Sequence, residues 1–367
     1  MNFSDITKFS NQKLDFKNNA FDFVRLFLSL MVVFSHSLWI GFGKLEFTIP
    51  AKDMQAQVDF GQIAVYGFFA ISGFLIANSW IRSSGIVDFI QKRIFRLFPA
   101  FWVCIFISAA FFAPLYFVLS GKTIVTYFSV NGLNSYRYFW TNILLEIRQE
   151  NIGNTLDLVF RKITNGPLWS LIFEFRAYIL LAILGVLGIF KNKFLIILPF
   201  LFFWFSHYNV VFDPVYRTWF ETWVGDYKIA VLFSYFFAGA TFLVWKDKII
   251  MDWKIFTVAL LSLWWVVTIN RFALVAPLAM TYVTLYLAAT LPIRNLSKKI
   301  GDWSYGIYIY SWPIQNLLFL MGVAKLGLWP YTFISMTLSC GAGYLSWHLV
   351  EKRFLARHKA LEKPLNQ

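Results

Sequence analysis

The sequence predicts an all-α integral membrane protein of about ten transmembrane helices, with both termini cytoplasmic. Three observations point there: composition, the spacing of apolar runs, and the placement of cations. Of 367 residues, 59% are hydrophobic, 21% aromatic and only 14% charged, far from the average of a water-soluble domain. Apolar stretches near bilayer length recur from residue 21 to residue 350, and the gaps between them are too short for a sizeable water-soluble core. Lys and Arg give a net charge of +14, yet they stand singly and in pairs between apolar stretches. That pattern speaks for membrane topology and against nucleic acid. One domain is the economical count: a cytoplasmic tail over 1–20, a transmembrane domain over 21–350 and a second tail over 351–367.

The first twenty residues are polar and mixed in charge, with no apolar region leading to a small-residue cleavage site. The first span, 21–42, therefore reads as an uncleaved anchor. It contains "RLFLSLMVVFSH", in which Arg25 and His36 bracket ten other residues. Eleven residues turn an α-helix through about 1100°, leaving about 20° after full turns, and rise about 16.5 Å, so the two share a face. With Arg25 at the cytoplasmic edge of a hydrocarbon core about 30 Å thick, His36 falls near the midplane. Two readings fit: a functional intramembrane histidine, or a histidine hydrogen-bonded in a bundle beneath a snorkelling arginine.

The second span, 60–80, carries "GFFAISGF", where Ser72 and Gly73 let backbones approach closely. Next comes "QKRIFRLFP". Arg93 and Arg96 are three apart and neighbours on a helical face. A guanidinium fork binds phosphate bidentately, and a cytoplasmic stop signal on acidic lipid is the other reading. Pro99 suits the opening of a third span at 98–120. A long outer segment, 121–165, holds five Lys or Arg residues.

The fourth span, 166–190, contains "GPLWSLIFEFRAY". Arg176 lies two residues beyond Glu174 and so points to nearly the opposite face. Glu174 then needs a partner from another helix or a ligand, or is a neutral structural carboxyl. Later spans are expected at 194–211, 228–245, 254–270, 272–292, 302–324 and 328–350. The aromatic stretch "HYNVVFDPVYRTWFETWVGDYK" fits either stacking on sugar rings or an interfacial belt. Alternate gaps collect Arg82, Lys92, Arg93 and Arg96, then Lys191 and Lys193, Lys246 and Lys248, and Arg294, Lys298 and Lys299, with Lys352, Arg353 and Arg357 in the tail. The positive-inside rule places those gaps and both termini in the cytoplasm. Cys104 and Cys340 sit in apolar runs, outside any metal-binding spacing, and no metal is expected.

Together these segments resemble the acyltransferase 3 family, polytopic enzymes that move acyl groups, commonly acetyl, onto cell-surface glycans and other acceptors. "FDFVRLFLSLMVVFSH" is similar to the family's first-helix pattern and "YGFFAISGFLI" to its second-helix motif. "KRIFRLFP" resembles its Arg-x-x-Arg motif, "PLWSLIFEF" its Trp-Ser-Leu and Glu segment, and "WSYGIYIYSWPI" its late Ser-Tyr-Gly-x-Tyr motif. The resemblance implies acetyl-CoA, or another acyl-CoA, as cosubstrate, with no permanently bound cofactor. It implies as partners a glycan or lipid-linked sugar acceptor and membrane lipid, with no nucleic acid, in the bacterial cytoplasmic (inner) membrane. His36 would be the base or acyl carrier and Glu174 a second catalytic residue. Arg25, Arg93 and Arg96 would hold the donor, and Ser72, Trp169, Tyr305 and Tyr308 the substrate. Ser311 stands where the family's late motif often has histidine, and no C-terminal esterase-like domain is expected. The alternatives are a transporter or flippase of a lipid-linked sugar or small anion, and a membrane sensor with a protonatable histidine.

Overall fold

A computed structural model describes residues 18–43 and 58–361, and it is helical throughout apart from turns and connecting loops. Residues 1–17 and 362–367 of the expected tails lie outside the described residues. The chain divides into two compact units. One comprises Met1–Leu28, Thr48–Ile90 and Phe173–Ile300; the other comprises Ser29–Phe47, Gln91–Ile172 and Gly301–Gln367.

In the first unit, α1 (Phe21–Phe42) begins where the Asn19 side chain accepts from the Phe21 N–H at 3.2 Å. Asp22 does not serve as this cap; its carboxylate accepts from the Ser297 backbone and hydroxyl. Helix α2 (Phe60–Ile81) opens on a capping box, with the Asp59 and Gln62 side chains each bonded to the other's backbone N–H. It ends near Gly85, and α3 (Ile86–Ile107) starts at once, its first turn held by Asp88 accepting from the Ser84 N–H. The unit continues with α6 (Leu171–Val186), α7 (Ile197–Phe212), α8 (Pro214–Trp223), α9 (Lys228–Val244), α10 (Trp253–Thr268), α11 (Phe272–Thr290) and the short α12 (Leu296–Ile300). Asp213 caps α8 with Pro214 at the first helical position. Helices α8 and α9 then meet at 84°, across a corner where Gly225 takes a φ of +117°.

The packing of α2 on α9 depends on two glycines. A Cβ on Gly73 would stand 1.8 Å from the Phe236 carbonyl oxygen, and one on Gly239 would stand 2.0 Å from that of Ala70. The helices therefore touch backbone to backbone, as small residues permit in membrane proteins.

In the second unit, α3 runs through Pro99 and into a π turn, Ser108–Phe112, before α4 (Ala113–Leu119). Pro114 explains the turn: it has no N–H to give to Ala110 and its ring crowds that carbonyl, so the Ala113 N–H reaches back five residues to Ser108. Next come α5 (Ile124–Asn142), a 3₁₀ turn at Pro167–Ser170, α13 (Ser304–Leu320), α14 (Leu328–Ser346), a second π turn at Trp347–Glu351, and α15 (Lys352–Leu361). Helix α13 meets α14 at another glycine pair, a Cβ on Gly306 falling 2.8 Å from the Gly343 Cα. After α5 the chain is tied by the Asn142 side chain to Arg148 and Gln149. Burial works to raise the Asp157 carboxyl, but Lys122 and Lys162, at 3.2 and 3.3 Å, outweigh it and hold it below the usual range.

Each of the ten expected segments is helical. Among the described residues, five helical stretches are long and apolar enough to cross a membrane: Phe21–Phe42, Phe60–Ile81, Ile86–Leu119, Pro167–Val186 and Phe272–Thr290. The bent pair α8 and α9 makes six if it is one span. This is fewer than the ten that hydropathy predicts, because turns trim the apolar runs: α7 and α10 keep only 16 residues each. Two boundaries also differ. The third segment starts at Ile86 rather than 98, so Arg93, Arg96 and Pro99 lie inside a helix instead of ahead of one. The segment 121–165, for which no helix was expected, begins with α5.

Candidate functional site

In the first unit, Glu174 occupies the first turn of α6. Its Oε1 accepts from the Ser72 hydroxyl of α2 at 3.2 Å and from the Tyr178 hydroxyl one turn further along α6. The two hydroxyls also lie 3.1 Å apart, closing a three-membered polar cluster. The partner that Glu174 needed from another helix is thus Ser72. Arg176 instead lies against the Phe173 ring, at 5.8 Å. Arg25 sits near the start of α1 in this unit. Cavities of about 520 and 350 Å³ flank the turn between α6 and α7; neither is lined by a residue expected to bind substrate or act in catalysis.

In the second unit, His36 lies in the C-terminal half of α1. The ring is half-buried, and its Nδ1 is shut off from solvent with no hydrogen-bond partner among the described residues. Trp312 of α13 forms one wall, edge-on with ring centroids 4.8 Å apart. That indole is fixed by its own N–H, donated to the Ile163 carbonyl at 2.8 Å, and by Gly166, where a Cβ would stand 2.8 Å from the ring. One turn along α13, the Gln315 amide donates to the Val33 carbonyl at 2.8 Å and to the Ser37 hydroxyl at 2.9 Å. These two residues flank His36 on α1, so Gln315 sets the local register of the two helices. Its own Oε1 is buried without a partner among the described residues.

The remaining predicted residues of this unit are held by the protein. Tyr305 donates to the Leu97 carbonyl at 2.9 Å. The Tyr308 hydroxyl lies 2.7 Å from that of Ser170 and 3.0 Å from the Pro167 carbonyl. Trp169, in the 3₁₀ turn, is 37% exposed and is the most open of the set. Arg93 and Arg96 both ride on α3. Arg96 binds Asp302 at 2.6 Å and Glu351 at 2.8 Å. Cys104 is buried, and its sulfur contacts the Ile309 carbonyl and the Asn165 amide. No group of three or more His, Cys, Asp or Glu is gathered for a metal among the described residues.

Tyr178, Asp302, Trp312, Gln315 and Glu351 join the candidate set only through the structure. A signal existed for Tyr178, which follows Glu174 by one helical turn. For the others none was local: Asp302 and Glu351 lie 206 and 255 residues from Arg96.

Chemically, the second unit presents an imidazole with a free lone pair beside a fixed indole wall, an arrangement suited to accepting a proton or a carbon electrophile. Comparison with known proteins gives the reaction class. A family profile described as "Acyltransferase domain" matches residues 18–348. The chain is similar to an O-acetyl transferase of Shigella phage Sf6, 29% identical over 345 residues, covering 93% of this chain and 97% of the relative. It is also similar to nodulation protein 10 of Rhizobium leguminosarum bv. viciae, 26% identical over 370 residues, covering 94% and 95%. No solved structure matches. Because the profile runs from before α1 to the second π turn, through every helix that bears a candidate residue, this chain belongs to the acyltransferase 3 family and is an acyltransferase.

Proposed function

We propose that the protein is an O-acetyltransferase of the bacterial cytoplasmic membrane. It moves acetyl from cytoplasmic acetyl-CoA to a hydroxyl of a cell-surface glycan or lipid-linked sugar. The phage relative named O-acetyl transferase, which aligns over nearly all of this chain, supports the reaction class. The observation that carries the reading is His36, whose Nδ1 is buried and unpartnered among the described residues beside Trp312.

A sugar hydroxyl is too weak an acid to attack a thioester unaided at neutral pH. His36 takes the hydroxyl proton as the oxygen bonds to the acetyl carbonyl carbon. The C–S bond then breaks, and the CoA thiolate leaves and takes up the proton. In the covalent variant of this path the imidazole itself attacks the thioester, and the hydroxyl then displaces it from an acyl-histidine. Arg25 and Arg93 are the cations this reading assigns to the donor's phosphates.

The test uses membranes from producing cells and labelled acetyl-CoA. His36→Ala and His36→Gln should lower acetyl transfer to glycan and CoA release by roughly 10²–10⁴-fold at unchanged protein level. Near-normal transfer would remove His36 from the mechanism. Transport without any CoA release in the wild type would favour a transporter instead. Label retained on the protein after brief exposure to donor selects the acyl-histidine path.

A further inference from the structure

Arg96 belongs by its motif to the donor-binding set, yet its surroundings in the second unit suit a different task. Its Nη1 donates to Glu351 Oε2 at 2.8 Å and its Nη2 to Asp302 Oδ2 at 2.6 Å, so both arms of the fork hold a carboxylate. Each carboxylate is itself held from its other oxygen. Ser304 donates to Asp302 Oδ1 at 2.6 Å, and Ser346 donates to Glu351 Oε1 at 2.9 Å. The guanidinium carbon also lies 5.8 Å from the Tyr305 ring and 5.9 Å from that of Trp347.

Three structural points show that this is a built junction. Glu351 is only 2% exposed, and a carboxylate so buried persists only when paired and hydrogen-bonded. It is the last residue of the π turn Trp347–Glu351, and that rare widening of the helix is commonly found at functional positions. Gly301, with φ +97°, lets the loop before α13 press against the same turn, since a Cβ there would stand 2.4 Å from Trp347. Three stretches of chain, α3, the start of α13 and the end of α14, converge on one guanidinium.

We infer that Arg96 is a positioning residue: it fixes the start of α13, and through that helix the Trp312 wall of His36, rather than binding the donor's phosphates. Both arms of the guanidinium already donate to carboxylates, which compete with a phosphate for the same N–H groups. The geometry provides the lever, because α13 is a single helix from Ser304 to Leu320. Trp312 lies eight residues beyond Ser304, about 12 Å along the axis, so a shift at Asp302 is delivered to the indole. The inference rests on the reading above in taking acetyl-CoA as the donor and His36 as the reacting group.

The test is the split between kcat and KM for acetyl-CoA, measured as CoA release by membrane vesicles from producing cells. Arg96→Gln should lower kcat by about tenfold or more with KM within about twofold. The triple variant Arg96→Gln/Asp302→Asn/Glu351→Gln removes both buried charges together with the cation they share, and should return to within about threefold of wild-type kcat, although no cation remains at position 96. Glu351→Gln alone should leave KM unchanged. A KM raised about tenfold in both Arg96 variants, or lowered by Glu351→Gln, would return Arg96 to the donor site and overturn the inference.

Deuterium exchange over residues 301–308 is the second readout and needs no turnover. It should quicken in Arg96→Gln and recover in the triple variant; wild-type exchange in Arg96→Gln overturns the inference. Should Arg96→Gln fail to fold, KM in the triple variant decides: a wild-type value supports the inference, and one raised about tenfold overturns it. Wild-type vesicles that release no CoA would sink the acetyl-CoA reading alone, with exchange still deciding the role of Arg96.

Discussion

Glu174 shows how a charged residue inside an apolar helix finds its place. It accepts from one hydroxyl on its own helix and one on α2, and the donors are themselves within hydrogen-bonding distance. Tyr178→Phe and Ser72→Ala should therefore each cost about 1 kcal/mol. Their double variant should cost clearly more than the sum, because only there does the shared carboxylate oxygen lose both donors. Thermal unfolding in detergent checks this, and strict additivity would mean that the three groups do not act as a cluster. Half of this site was readable in advance. The 100° turn per residue separates Glu174 from Arg176 and joins it to Tyr178, whereas Ser72 is 102 residues away and nothing in a single sequence pairs them. His36 is a similar case. Its position eleven residues after Arg25 marked it out, but its companions come from the far end of the chain, Trp312 inside the late motif with no role given to it and Gln315 just beyond.

At the level of helices, the close approach of α2 and α9 sets the strictest demand. Gly73→Ala and Gly239→Ala should each destabilise the protein by about 1–3 kcal/mol, since each methyl would meet a backbone carbonyl that cannot move aside. Gly341→Ala, on a helix surface with nothing within 4 Å of the added carbon, should be neutral or slightly stabilising. Equal effects at all three positions, read from unfolding midpoints, would show that the approach does not constrain the fold. The sequence exposed Gly73 as a small residue at a packing position, but not its partner, because backbone contact leaves no mark on side-chain pattern. Pro99 misled for a related reason. Proline favours helix starts, yet membrane helices tolerate it in their interior, and here the start is set earlier by Gly85 and Asp88.

Across the whole molecule, the alternation of Lys and Arg between helices predicts which ends face the cytoplasm. With Cys340 replaced by Ser and Cys104 buried, Asn192→Cys should react with a membrane-impermeant maleimide only in inside-out vesicles. Asn151→Cys should react only in right-side-out ones, and the reverse labelling would invert the topology and place Arg93 on the wrong face for acetyl-CoA. Helix existence was legible over the ten apolar runs, where periodicity is strong, but not for α5 or α8, which are short of apolar residues or amphipathic. The number of full crossings was not, because turns at the helix ends trim apolar segments by amounts hydropathy does not register. The π turn at Trp347–Glu351 bears on how such chains change length. Loss of a single codon within it would restore ordinary winding with the helix on either side still in register, whereas the same loss from an α-helical turn would rotate everything beyond it by about 100°. The turn is thus the place where this end of the chain can absorb a one-residue change in length, at the cost of the widened geometry from which Glu351 now reaches Arg96.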